Sequence, residues 1–113
     1  MRARVVVAVI GVALVCVLLP TGALAKRTGK VTVGNNFYDP ERVVISRGDK
    51  LKFRWQGGIP HNVTLRRGPG RPFASETTME AGVNFRHTFE KSGRYLLHCT
   101  IHPDQMQLTV RVR

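Results

Sequence analysis

The chain has almost no cysteine. Of its 113 residues only Cys16 and Cys99 carry a thiol, and Cys16 falls inside an apolar N-terminal run. A framework of disulfides, the usual stabiliser of small exported domains, is therefore excluded for the segment that begins at residue 26. A lone thiol in an oxidising compartment is vulnerable unless it is buried and inert or occupied by a metal. Composition alone leaves both alternatives open for Cys99.

Acidic residues are also scarce. The chain has 7 Asp and Glu against 18 Lys and Arg, and 16 of those basic residues lie in residues 26–113, which gives that segment a net charge of +9. Such a field favours anionic partners, either an acidic protein or an anionic cell envelope. Nucleic acid is not expected, because the basic residues are scattered singly. A solvated surface that only aids solubility is the alternative.

Helical periodicity is missing from residues 26–113, where short apolar–polar alternations recur between turn residues. The runs that predict strands are 31–33, 42–46, 50–55, 61–65, 83–89, 94–99 and 107–112. Short strands at a spacing of roughly 8–12 residues predict an all-β Greek-key sandwich or barrel of about seven to eight strands. Residues 66–82 are rich in Gly, Pro and Thr and predict a long loop.

The first 25 residues have the pattern of a signal peptide. Two arginines precede an apolar run over residues 5–19, and the small-residue cleavage site Ala23-Leu24-Ala25 follows it. The run is shorter than the roughly 20 residues that a spanning helix needs, so we expect cleavage near Ala25 rather than a retained membrane anchor. The sequence thus predicts an exported monomer, periplasmic, envelope-associated or extracellular, with one domain in residues 26–113.

Three candidate metal donors lie within eight residues between two predicted strands: Cys99, His102 and Met106. A thiol, an imidazole and a thioether on one short loop suit copper rather than a hard cation. A further donor must come from elsewhere in the chain. His61 opens a predicted strand directly after a Gly-Gly-Ile-Pro loop, a position where a ring can be held rigidly at the edge of a domain.

The motif around these residues resembles the cupredoxins, a family that includes plastocyanin, pseudoazurin and amicyanin. Pro60-His61-Asn62 is followed, 38 residues after the histidine, by Cys99-x-x-His102 and then by Met106. A Gly-x-Tyr step at residues 93–95 precedes the cysteine strand, as it does in the family. The resemblance covers nearly all of residues 26–113.

The resemblance implies one type 1 copper, with His61, Cys99 and His102 in a plane and Met106 as a weak axial ligand. It also implies that Asn62 contacts Thr100 and ties the two ligand segments together. The function implied is one-electron transfer to a redox partner, for which the positive charge predicts an acidic docking surface. A copper buffer or delivery protein with the same ligands is the alternative.

The spacing after His102 departs from the relatives. Three residues separate His102 from methionine here, whereas plastocyanin and pseudoazurin have four and amicyanin has two. Gln105 and Gln107 occupy the positions that those spacings give to the axial ligand, and glutamine is a known axial type. In the relatives, valines lie four and six residues beyond the axial methionine. Val110 and Val112 stand in that relation to Met106, which favours Met106.

The remaining histidines are not predicted to bind metal. His98 precedes Cys99 on a strand and therefore faces the other way; copper nitrite reductases and multicopper oxidases bind a second copper there. Arg66 and Thr100 stand where such enzymes have further histidines, so we expect a non-enzymatic protein. His87 shares a strand face with Phe85 and Phe89 and is predicted to lie at the edge of the core.

Overall fold

The computed structural model describes residues 27–113, so the signal-peptide prediction for residues 1–25 falls outside it and stays a prediction. The described chain forms eight strands: β1 (Thr28–Gly34), β2 (Phe37–Asp39), β3 (Arg42–Ile45), β4 (Lys50–Trp55), β5 (Thr64–Arg67), β6 (Gly82–Thr88), β7 (Gly93–His98) and β8 (Gln107–Val112). No helix in this part of the chain is long and apolar enough to span a bilayer.

The strands form two four-stranded sheets that pack face to face. Sheet A has the order β2-β1-β4-β6, and sheet B has the order β3-β8-β7-β5. The β1–β4 and β3–β8 pairs are parallel, while the other neighbours are antiparallel. The Greek-key β-sandwich expected from the sequence is confirmed.

Alternation of apolar and polar residues produces the core between the sheets. In β4, Leu51, Phe53 and Trp55 are buried, and the basic residues between them face out. The buried apolar cluster of the described chain comprises Val31, Val33, Tyr38, Leu51, Phe53, Trp55, Val63, Phe89, Tyr95, Leu97, Cys99, Met106, Leu108, Val110 and Val112. Two candidate metal donors, Cys99 and Met106, thus belong to the core itself.

The strand predicted over residues 61–65 is wrong in position, because β5 begins only at Thr64. His61 pairs instead with Thr78 of the following loop, through two main-chain hydrogen bonds of 3.1 Å. The amide of Val63 donates to the hydroxyl of Ser75 at 2.9 Å. The main-chain groups of residues 61–63 therefore bond to the following loop and to side chains instead of to a neighbouring strand. All three of these residues are buried, so the alternating exposure of a strand is absent here.

The loop between β5 and β6 packs an aromatic side chain, Phe73, against β6 and the residue that follows it. Its Phe73 stacks on His87 with ring centroids 3.6 Å apart, and Phe89 meets the same imidazole edge-on at 4.7 Å. This agrees with the predicted place of His87 at the core edge. Burial lowers the pKa of His87 below its ordinary value, an effect that the nearby Glu90 carboxylate opposes.

Candidate metal centre

Strand register brings the two donor-bearing segments to one end of sheet B. Thr64 of β5, His98 of β7 and Gln107 of β8 lie side by side in the sheet. His61 lies just before β5, Cys99 follows β7 directly, and the loop that carries His102 runs on to β8. Donors far apart in sequence therefore meet where three neighbouring strands end.

A glycine turn directs His61 into this end of the molecule. Gly57 and Gly58 both have positive φ values, 96° and 98°, in a region that residues with a Cβ atom rarely adopt. A Cβ on Gly57 would also approach the Cβ of Ala81 to 3.1 Å. The chain then turns so that the indole of Trp55 donates to the carbonyl of His61 at 3.2 Å.

The side chains of His61 and Cys99 face each other. The distance from His61 Nδ1 to Cys99 Sγ is 4.0 Å, and the two residues are 3% and 0% exposed. Burial lowers the pKa of His61, and the neighbouring His102 lowers it further. Both effects on the pKa of His61 favour the neutral imidazole, which is the form that binds a metal.

The loop from Cys99 to Met106 is closed by its own main chain. The amide of Cys99 donates to the carbonyl of Met106 at 3.2 Å, and the amides of His102 and Met106 donate to the carbonyls of Cys99 and His102 at 3.2 and 3.0 Å. This folding sets the imidazole of His102 near that of His61, with ring centroids 5.3 Å apart. Sequence spacing alone could not have given this closure.

Met106 and the two nearby glutamines differ in burial and contacts. Met106 is 0% exposed and lies in the core cluster with Cys99, whereas Gln105 is exposed. Gln107 begins β8 and its side-chain amide donates to the carbonyl of Pro103 at 3.1 Å. Burial therefore favours the thioether over both glutamine side chains as the group beside Cys99.

Among the described residues, two buried imidazole nitrogens at this end have no hydrogen-bond partner, although the His61 nitrogen that faces Cys99 is the other one, Nδ1. The Nε2 atoms of His61 and His102 are buried and have no hydrogen-bond partner in the described structure, although buried polar atoms usually have one. Within residues 27–113, however, no three His, Cys, Asp or Glu side chains are already gathered into a metal-binding set. We expect His102 to move on binding, because its loop is partly exposed while Thr78 holds the main chain of His61.

Asn62 connects the His61 segment to the Cys99 segment. Its Oδ1 accepts from the amide of Thr100 at 3.1 Å, and its Nδ2 donates to the Thr100 hydroxyl at 2.8 Å. The same amide group also bonds the hydroxyls of Thr64 and Thr77 at 2.8 and 2.9 Å. The contact between Asn62 and Thr100 expected from the resemblance is present.

Two supporting residues were not identified from sequence. Tyr38 donates its hydroxyl to the carbonyl of Asn62 at 2.6 Å, and burial raises the pKa of this phenol well above its ordinary value. Thr77 lies in the Gly-, Pro- and Thr-rich loop, and its hydroxyl accepts a hydrogen bond from Nδ2 of Asn62. No local pattern marks either residue, because each depends on a long-range approach of the chain.

His98 lies on the opposite face of β7 from Cys99, as strand alternation predicted. It is partly buried, and its Nδ1 has no hydrogen-bond partner in the described part of the chain. Burial lowers the pKa of His98, and the positive charge of Arg66 adds to this effect. An arginine beside this imidazole disfavours a cation there.

Comparison with known proteins decides the family. Residues 26–113 match the model of the copper-binding proteins of the plastocyanin/azurin family. The chain belongs to this family. As a cupredoxin it has copper as its cofactor, one type 1 ion, in agreement with the sequence-based prediction. The family consists of electron carriers rather than enzymes, as was also expected.

Individual relatives agree with this assignment. The cupredoxin is 31% identical to halocyanin of Natronomonas pharaonis over an alignment of 97 residues that covers 78% of this chain and 60% of halocyanin. The chain thus spans less than two thirds of the length of that relative. A reduced amicyanin variant superposes with a TM-score of 0.68 at 24% identity, covering 80% of this chain and 86% of amicyanin. A second reduced variant gives 0.65 at 25%, over 76% and 82%. These structures share the fold.

Proposed function

We propose that this cupredoxin is an exported one-electron carrier whose copper is bound by His61, Cys99 and His102, with Met106 as the axial ligand. The observation that carries the proposal is the 4.0 Å approach of His61 Nδ1 to Cys99 Sγ across 38 residues of sequence. An imidazole facing a thiol inside an apolar core, with a buried thioether on the same loop, is a donor set that suits both oxidation states of copper.

The protein would fix the positions of the ligand side chains and keep water away from the metal. Copper held by His61, Cys99, His102 and Met106 would supply the one-electron chemistry through its Cu(I) and Cu(II) states. The main-chain bonds to Thr78 fix His61, and the Asn62 amide fixes the start of the Cys99–Met106 loop. Buried neighbours exclude water from the sulfur of Cys99. A site held in this way changes little between two charge states, which favours fast electron transfer.

An acidic docking surface on the redox partner is part of the proposal. It is supported by the net charge of +9 on residues 26–113, which favours fast encounter with an anionic protein. Ile59 and Ile101 are 37% and 46% exposed, and each lies within two residues of a candidate ligand. They offer an apolar contact at the end where electrons would pass. Export rests on the sequence pattern of residues 1–25.

A copper titration tests the proposed function. We expect one equivalent of Cu(II) to produce an intense visible thiolate-to-copper band, which one electron equivalent removes and reoxidation restores. A colourless or redox-silent complex would contradict the proposal. A complex that gives up copper readily to a chelator and shows no reversible reduction would indicate a copper buffer instead.

Substitution of the three candidate axial residues tests the assignment of Met106. We expect Met106→Gln to shift the visible spectrum and lower the reduction potential, because an amide oxygen stabilises Cu(II) relative to a thioether. Gln105→Ala and Gln107→Ala should leave both properties unchanged and serve as matched controls. A shift in either alanine variant, with none in Met106→Gln, would move the axial role to that glutamine.

A further inference from the structure

The outer face of sheet A carries an unusual array of cations. Side chains that alternate with the core residues of β1, β4 and β6 point away from the sandwich, and five of them are basic: Lys30, Lys50, Lys52, Arg54 and Arg86. Register places Lys30 directly opposite Lys52, and Lys52 directly opposite Arg86. We call these five residues the lysine face.

The cations of the lysine face have no acidic neighbours on their own strands. β1, β4 and β6 contain no Asp or Glu, and the edge strand β2 contributes one carboxylate, Asp39, opposite Thr32. Neighbouring strands lie about 4.8 Å apart, and like charges directly opposite each other destabilise a sheet. A bound anion would offset this repulsion, and the row of three opposed cations is longer than the single opposed pair of sheet B, Arg94 with Arg111.

The composition of the lysine face indicates what kind of anion this is. Lysines are strongly hydrated point charges on flexible stems, and protein–protein interfaces are depleted in them and enriched in arginine and apolar groups. The outer face of sheet B has the arginine and apolar groups that are typical of a protein–protein interface. There, Arg67 and Arg94 border a depression of about 380 Å³ lined by Leu96. The lysine face, with three lysines and two arginines spread over three neighbouring strands, instead suits a surface whose negative charge is laterally continuous.

We propose that the lysine face binds the surface of an anionic phospholipid bilayer. The sheet then lies flat on the membrane, and its strands run parallel to the bilayer plane. The candidate metal donors lie at one end of the strands. In this orientation the loops that carry them lie beside the membrane contact and remain accessible to a partner protein. The proposal does not depend on the copper site and holds for the metal-free protein.

Vesicle binding by two charge-matched triple variants tests the proposal. One variant is Lys30→Gln/Lys52→Gln/Arg86→Gln on the lysine face. The other, Arg42→Gln/Arg94→Gln/Arg111→Gln, removes the same charge from outward positions of sheet B. The measured quantity is the ratio of binding to phosphatidylglycerol-containing vesicles and to pure phosphatidylcholine vesicles, so that any contribution from the apolar run at residues 5–19 cancels.

We expect the lysine-face variant to lose on the order of a hundredfold in this ratio, since each basic residue at a membrane surface contributes about fivefold. The sheet B variant should lose much less. Circular dichroism checks that both triple variants fold. If the lysine-face triple variant does not fold, the double variant Lys30→Gln/Lys52→Gln replaces it, with an expected loss of about 25-fold.

Three outcomes would overturn the proposal. If the unmodified protein bound anionic and neutral vesicles equally, the lysine face would not be a membrane-binding surface. Equal losses in the two triple variants would show that net charge alone governs binding. Binding to polyglutamate that depends on the lysine face, with no preference for anionic vesicles, would assign the face to an acidic protein.

Discussion

Cys99→Ser is expected to abolish the visible band of the copper-loaded protein. The band arises from charge transfer between a thiolate and copper, and Cys99 carries the one thiol of residues 26–113. A serine hydroxyl is a poor ligand for either oxidation state at neutral pH, so reversible reduction should be lost as well. The measurements are the visible spectrum after addition of one equivalent of Cu(II) and cyclic voltammetry of the same sample.

His98→Gln is the matched control for this substitution. His98 is the chain neighbour of Cys99 but faces the opposite side of β7, so its loss should leave the band in place. Because Cys99 is fully buried, a serine there also leaves a hydroxyl without an assured partner, which costs about 1–3 kcal/mol in the metal-free protein. Circular dichroism must show that the variant folds. A retained band in folded Cys99→Ser would refute the ligand assignment.

Asn62→Leu is expected to destabilise the metal-free protein by about 3 kcal/mol. The substitution removes four hydrogen bonds from a side chain that is 3% exposed, and it leaves the amide of Thr100 and the hydroxyl of Thr64 without their partner. For a domain of this size the loss corresponds to a fall in Tm of roughly 10–25 °C. Thermal unfolding followed by circular dichroism measures it.

Asn84→Leu provides the comparison for Asn62→Leu. Asn84 has the same side chain but makes a single exposed hydrogen bond, from its Nδ2 to the carbonyl of Glu80 at 2.8 Å. Exposed substitutions of this kind change stability by about 0.5 kcal/mol or less. If both variants unfolded at similar temperatures, the Asn62 network would not be a principal link between the two ligand segments.

Strands with a regular alternation could be predicted from the sequence, and irregular ones could not. The predicted bounds of β4 and β8 match the structure, because one face of each strand packs against the core throughout its length. β5 was misplaced because the polar groups of Asn62 and Ser75 take over main-chain hydrogen bonds just before it. Such competition between side chain and backbone leaves no periodic signal.

The candidate site shows the same division between local pattern and long-range contact. The residues themselves indicated Cys99, His102 and Met106 as donors, the resemblance implied their roles together with His61, and the structure brings His61 and Cys99 to 4.0 Å. Their assignment as copper ligands stays a prediction. The contributions of Tyr38 and Thr77 to the Asn62 network depend on chain segments 24 and 15 residues away, and no residue pattern encodes those approaches.

The closure of the loop between Cys99 and Met106 has a consequence for the length of that loop. The bond between the amide of Cys99 and the carbonyl of Met106 continues the β7–β8 ladder, whose last pair is His98 with Gln107. The six residues enclosed, 100–105, can therefore gain or lose a member without disturbing the two strands. A residue added to or removed from 100–105 would change the position of the His102 imidazole while the ladder between β7 and β8 stays in place.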